Sequence, residues 1–276
     1  MLPPGYQRFT TQDGAELAMR RWAQPSAKGA VLLVHGLGEH LGRYDALAQR
    51  LNAKGYDVLA YDHYGHGLSG GPRGGLARDT QLIEHLVELH DAVLQRLAAP
   101  RGPRIVLGHS LGGLVVAAAL ARRLLDTDFA VLSSPALAVS MAAWQRAALG
   151  WLPRFAPNLT LANGLDAERL AHDKAVIEAY RNDPLVHDRI SLRLGAFIAQ
   201  EGKRVLEAAA NWSTKTLLLY AGDDRLVNPQ GSAAFAAAAP RSRVTAECFP
   251  TLYHEIFNEP DPAPLTALAN WLDALG

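Results

Sequence analysis

Residues 105–116 read Ile-Val-Leu-Gly-His-Ser-Leu-Gly-Gly-Leu-Val-Val. An apolar, β-branched run (residues 105–107) enters Gly108-His109-Ser110-Leu111-Gly112, and a second apolar run leaves it. That is G-x-S-x-G between a strand and a helix, the pattern of a nucleophile elbow. The glycines have a steric reason. A serine on so tight a turn sits in a strained backbone conformation, and side chains two residues to either side would strike the strand or the helix. The turn lifts the Ser110 hydroxyl off the sheet edge at a helix N-terminus, where N–H groups and the helix dipole favour developing negative charge. A serine so placed can attack a carbonyl carbon.

Outward from this stretch, short apolar strand signatures recur at residues 30–35, 57–61, 104–108, 129–133, 216–221 and 244–249. Each is followed by Gly, Ser, Asp or Pro, as parallel strands covered on both faces should be. Helical patterns lie between them at residues 44–54, 80–98, 111–125, 231–238 and 263–275. Strand and helix alternating with right-handed crossovers give an α/β three-layer sandwich with a mostly parallel sheet. Residues 7–10 and 16–22, separated by Gln12-Asp13-Gly14, read as an antiparallel hairpin at the sheet edge. From Pro135 to about Ala210 no strand is predicted, and a segment that long must fold on itself. Leu137, Met141, Trp144, Ala148, Trp151 and Phe155 recur there at helical spacing. The expected organisation is a core of residues 1–135 and 211–276 with a helical cap, 136–210, over the strand ends. Met141, Trp144, Trp151 and Phe155 are expected to line a ligand cavity there, because open α/β sheets bind ligands outside the carboxyl ends of their strands.

Composition narrows the function classes. The chain has 276 residues, 49% of them hydrophobic, enough for a large core, and 27 basic residues balance 27 acidic ones without long blocks. That excludes a nucleic-acid surface. Cys248 is the sole cysteine, so there is no intrachain disulfide or cysteine metal cluster. Its strand-like setting predicts a small core residue. Met1-Leu2-Pro3-Pro4-Gly5-Tyr6 lacks the regions of a signal peptide, and the longest apolar stretch, residues 111–121, is too short to span a bilayer. A cytoplasmic protein is expected.

A serine needs a base to take its proton, and the base needs a third group to fix its tautomer. After Ser110 the chain offers both. The strand at 216–221 runs into Gly222-Asp223-Asp224-Arg225, placing a carboxylate past a strand end, and the strand at 244–249 is followed by Tyr253-His254-Glu255. His254 alone among ten histidines lies after the last strand with a helix to follow, which makes it the base. An oxyanion hole needs two backbone donors. The N–H of Leu111, next after the serine, is one; the loop His35-Gly36-Leu37-Gly38 supplies the other, the N–H of Leu37. Gly65-His66-Gly67-Leu68-Ser69-Gly70 matches G-x-G-x-x-G, but Gly71-Pro72-Arg73 follows it where a helix should start. No nucleotide cofactor is expected. His85 and His90, five apart on a helix, share no metal-binding face, and no metal site is expected.

With these residues placed, the chain resembles the α/β-hydrolase superfamily and, within it, the monoacylglycerol lipase and lysophospholipase branch (serine aminopeptidase S33, hydrolase-4 type). The resemblance covers nearly the whole chain. It rests on His35-Gly36-Leu37-Gly38-Glu39-His40 with Gly42-Arg43-Tyr44, on Asp62-His63-Tyr64-Gly65-His66-Gly67-Leu68-Ser69, and on the elbow. Asn182-Asp183-Pro184-Leu185, Asp224-Arg225-Leu226-Val227 and Tyr253-His254-Glu255 complete it. It implies Asp224, not Asp223, as the third member of the set Ser110, His254, Asp224. It also implies that Glu39 and Arg43 organise the polar head end of a substrate, the alternative being a structural ion pair beneath the loop. Mammalian members carry a second histidine three residues past the catalytic one, whereas this chain has Phe257, so no glycerol contact is expected there.

The expected activity is hydrolysis, through an acyl-enzyme, of small-molecule esters with one acyl chain, monoacylglycerol-like or lysophospholipid-like. The alternatives are a broad carboxylesterase for shorter or aryl esters and a ligand-binding receptor on the same scaffold. The expected partners are the ester itself, no nucleic acid, and a membrane or micelle surface touched transiently by the cap; oligomeric state stays open.

Overall fold

The computed structural model describes residues 2–94, 102–139 and 149–275. The chain opens with the expected hairpin, β1 (Tyr6–Thr10) and β2 (Glu16–Trp22). Next come β3 (Gly29–Val34), β4 (Tyr56–Tyr61), β5 (Arg104–His109), β6 (Phe129–Ser133), β7 (Thr160–Ala162), β8 (Arg189–Ser191), β9 (Lys215–Ala221) and β10 (Val244–Phe249). The large sheet has the order β1-β2-β4-β3-β5-β6-β9-β10. From β4 onward neighbouring strands run parallel, with β2 antiparallel against β4. The order turns back at β3, which lies between β4 and β5. The crevice beyond the carboxyl ends of β3 and β5 is where such a sheet accepts a ligand.

The helices are α1 (Asp45–Ala53), α2 (Gln81–Leu89), α3 (Leu111–Ala121), α4 (Lys174–Asn182), α5 (Leu192–Ala208), α6 (Pro229–Ala238) and α7 (Ala263–Asp273). Alternation along the strands sends Leu32 and Val34 into a core with α2, α3, α5 and α6, and Val31 and Leu33 into a second core with α1 and α7. α3 is buried from Leu111 to Leu120, because α2 and α5 cover the sides that the sheet does not. It ends short of the predicted residue 125: Arg123 turns left-handed, with φ 58°. α2 also ends early, continuing as a wider π turn over His90–Leu94; the rest of that predicted helix, residues 95–98, lies outside the described residues.

Two expectations are corrected. β10 is an edge strand, so residues 245–248 face solvent and Cys248 is exposed, where a position between two covered faces predicted a core residue. The cap segment does contain strands. β7 and β8 pair antiparallel over three residues each, too few to leave a periodic signal in the sequence. This hairpin docks onto the core through His187 N–H to Gly38 O at 2.9 Å and Ser191 N–H to Gly74 O at 2.8 Å.

At the elbow Ser110 has φ 53° and ψ −117°, outside the regions open to ordinary residues. A Cβ on Gly108 would lie 2.5 Å from Gly112 O, and one on Gly112 would lie 2.1 Å from Val34 O. Both obstacles are backbone and cannot rotate away. Gly112→Ala is therefore expected to destabilise the protein by about 3 kcal/mol or more, read as a lower urea midpoint at unchanged slope. Ala at the exposed Gly150, whose Cβ would meet nothing within 4 Å, should leave the midpoint in place.

Candidate active site

The three side chains singled out in the sequence converge at the carboxyl edge of the sheet. Ser110 follows β5, Asp224 follows β9 and His254 follows β10. His254 Nδ1 lies 2.6 Å from Asp224 Oδ2, with both side chains almost fully buried. The other oxygen, Oδ1, accepts from Leu226 N–H at 2.9 Å and Val227 N–H at 3.0 Å. Every face of this carboxylate is thus fixed, and it holds the proton on Nδ1, leaving Nε2 with its lone pair. The half-buried Asp223 instead accepts from Arg225 Nε at 2.6 Å. Two adjacent aspartates are separated by direction alone.

Electrostatics follow from this geometry. Burial works against the His254 imidazolium, but the Asp224 carboxylate and its hydrogen bond outweigh it, helped by Glu255 and Glu39, and the His254 pKa is raised. Burial likewise opposes the Asp224 carboxylate, yet His254 and the two loop N–H groups hold its pKa below the ordinary value. The neighbouring His109 ring lies 4.7 Å from that of His254. Burial first, and the His254 charge second, push its pKa down to about 4, so it stays neutral and packs.

Ser110, Asp224 and His254 border a cavity of about 750 Å³, within the range of sites that enclose a small ligand. Leu37 and Leu111 line it as well. Among the described residues no protein group accepts a hydrogen bond from either backbone N–H, so both remain available. No hydrogen bond joins Ser110 to His254 among the described residues, and such contacts often tighten only around substrate. Much of the remaining wall is aliphatic, with Val139, Leu149, Leu152, Ile190, Leu192 and Ile198, and its polar side chains are Asn163, Ser191, Arg225 and Asn228.

Two members of the predicted stripe, Trp151 and Phe155, are not part of that wall. Trp151 and Phe155 are 54% and 77% exposed, pack edge to face at 5.9 Å, and point outward. Met141 and Trp144 lie outside the described residues. The lining residues that sequence reasoning missed, such as Ile190, Leu192 and Ile198, come from β8 and α5. Their apolar spacing is real, but it cannot say which apolar side chains face a void and which face the core.

Glu39 and Arg43 lie behind the cavity, not in its lining. Arg43 Nη1 donates to Glu39 Oε2 at 2.6 Å, and its two terminal nitrogens grip Glu255 at 2.6 and 2.8 Å. Glu39 Oε1 accepts from Gly36 N–H at 2.6 Å and from the Tyr44 hydroxyl at 2.7 Å. Burial disfavours the Glu39 carboxylate, but Arg43, His109 and these donors hold its pKa below normal. This cluster ties the loop of Leu37 to the loop of His254, the residue before Glu255. On the far side, Leu170 O accepts from Glu255 N–H at 2.7 Å, and Glu259 accepts from the N–H groups of Tyr253 and His172 at 2.7 and 2.9 Å.

A family model described as serine aminopeptidase, S33 (Hydrolase_4) matches residues 25–261. A monoacylglycerol lipase of Mycolicibacterium smegmatis is 36% identical over 260 residues, covering 92% of this chain and 91% of the relative. A monoglyceride lipase of Rattus norvegicus is 31% identical over 252 residues, 90% of this chain and 82% of that one. The crystal structure of a Paleococcus ferrophilus monoacylglycerol lipase superposes with a TM-score of 0.84 at 35% identity, covering 95% of this chain and all of that one.

Replacing Arg43 by Met leaves two buried carboxylates facing each other without a cation. The expected loss is about 3–5 kcal/mol of stability, measured by chemical denaturation. Arg43→Lys should recover only part of it, because an ammonium cannot make the paired contacts of a guanidinium.

Proposed function

The chain belongs to the serine aminopeptidase S33 family of α/β-hydrolases, and from that premise we propose that it cleaves carboxylic esters bearing a single acyl chain, of the monoacylglycerol or lysophospholipid kind. His254 Nε2 takes the proton of Ser110 as Oγ bonds to the ester carbonyl carbon. Asp224 keeps the Nδ1 proton in place and stabilises the imidazolium. The carbonyl electron pair moves onto oxygen, where the N–H groups of Leu37 and Leu111 receive it. When that pair returns, the C–O bond to the alcohol breaks and His254 gives the departing oxygen its proton. Water, deprotonated by the same nitrogen, then releases the acid and restores Ser110. One observation carries this reading: a serine in a forced elbow conformation and a carboxylate-bound histidine border the same apolar cavity.

Esters with one chain suit the aliphatic wall, where each buried methylene contributes about 0.8 kcal/mol. The exposed Trp151, Phe155, Leu159 and Leu161 support a second part of the proposal, that the cap touches a lipid surface. Leu161 belongs to both that patch and the cavity lining, so a lipid held at the patch has a short path inward. No helix among the described residues is long and apolar enough to cross a membrane.

The deciding experiment is labelling and turnover. A fluorophosphonate probe should mark the wild type and miss Ser110→Ala, whose kcat on p-nitrophenyl octanoate should fall by on the order of a million-fold. Asp224→Asn should lose roughly ten-thousand-fold, while Asp223→Asn should lose little. Equal losses for the two aspartates would remove Asp224 from the mechanism.

Chain-length preference gives a separate test. Gly195 lies on the cavity wall, and a side chain there grows toward Leu149 and Ile190. Gly195→Phe should move the maximum of kcat/KM to shorter p-nitrophenyl esters. Trp151→Ala should leave that profile where it is, since its ring faces solvent.

A further inference from the structure

Among the described residues, several buried side-chain polar atoms lack a hydrogen-bond partner, and one of them, Asn163 Nδ2, belongs to a residue that lines the cavity. Native proteins rarely leave such a donor empty without a reason. Its orientation is not arbitrary. Asn163 Oδ1 accepts from Leu165 N–H at 3.0 Å, and an amide turned the other way would set two donors against each other. The nitrogen therefore faces away from that turn. Asn163 N–H in turn donates to Asp188 O at 2.6 Å, which pins the residue to the end of the cap hairpin.

The position of that nitrogen is informative. A Cβ built on Gly38 would lie 3.3 Å from it, so it stands beside the loop that carries Leu37. Two needs of an ester are already met: the carbonyl oxygen by the backbone N–H groups, the acyl methylenes by the aliphatic wall. The oxygens still without a donor are those of the alcohol half.

Resting on the ester-hydrolase reading above, we infer that Asn163 is a specificity-determining residue whose Nδ2 donates to a hydroxyl oxygen next to the ester in the alcohol half of the substrate. The alcohol is then a polyol acylated once, with a free vicinal hydroxyl. The donor is buried beside Gly38, and its partner arrives with substrate as the hairpin yields slightly there.

The test compares three esters with one acyl chain: 1-octanoylglycerol, 1-octanoyl-glycerophosphocholine and ethyl octanoate. The first two carry the vicinal hydroxyl and differ in whether a phosphodiester follows it; the third lacks it. Asn163→Ser keeps an oxygen able to accept from Leu165 N–H but withdraws the amide donor. On whichever polyol ester the wild type prefers, its kcat/KM should fall roughly tenfold further than on ethyl octanoate. Its melting temperature should match the wild type. Equal proportional losses on all three esters would make Asn163 a structural part of the hairpin and overturn the inference. So would a wild type that turns over ethyl octanoate better than both polyol esters. A wild type inactive on all three would overturn the ester-hydrolase reading itself.

Discussion

Helix α3 lies so close to strands β3 and β5 that no side chain fits between them at Gly108 or Gly112. The placement of Ser110 depends on that contact. It forces Ser110 into a conformation that an isolated residue would leave, and the surrounding hydrogen bonds keep it there. Ser110 N–H donates to Ser133 O at 2.9 Å, while its carbonyl accepts from Leu114 and Ala136 at 3.0 Å. The strain is therefore held from β6, from α3 and from the start of the cap segment at once. The serine's position becomes a property of the packed core, not of a loop.

The loops that carry Leu37 and His254 are held to each other by charge. Arg43 sits between Glu39, on the loop of Leu37, and Glu255, next to His254. A buried guanidinium between two carboxylates fixes direction as well as distance, because its donors are planar and rigid. Such a cluster contributes little net stability compared with an apolar core of the same volume. Its value lies in registering two loops 212 positions apart in sequence. That account differs from the one implied by family resemblance, in which these two residues meet the substrate's head.

The segment between β6 and β9 is joined to the loops around the site by backbone hydrogen bonds that include His187 to Gly38, Ser191 to Gly74 and Glu255 to Leu170. Its last helix, α5, packs on α3 in the larger core, with Leu194, Phe197, Ile198 and Val205 buried there. One segment thus closes the cavity with its outer half and completes the sheet's helical layer with its inner half. Residues of α5 that line the cavity thus belong to a helix packed on the elbow helix.

What the sequence by itself determined was set by local rules. Alternation, β-branched runs and glycine positions specified the large sheet, the helices and the elbow, because each depends on neighbours within a few residues. The order of Ser110, a carboxylate and His254 along the chain was equally legible. Resemblance alone already pointed to Asp224 over Asp223, and the loop after β9, which turns that carboxylate inward to His254, is the physical reason. Three things were decided only by tertiary structure. Cys248 is exposed because β10 has no neighbour beyond it. Trp151 and Phe155 face solvent while Ile190 and Ile198 face the cavity, since hydrophobic spacing reports burial on a helix or strand but not what covers it. Arg43 joins Glu255 because folding brings distant segments together, and a distance across space leaves no periodicity in a chain.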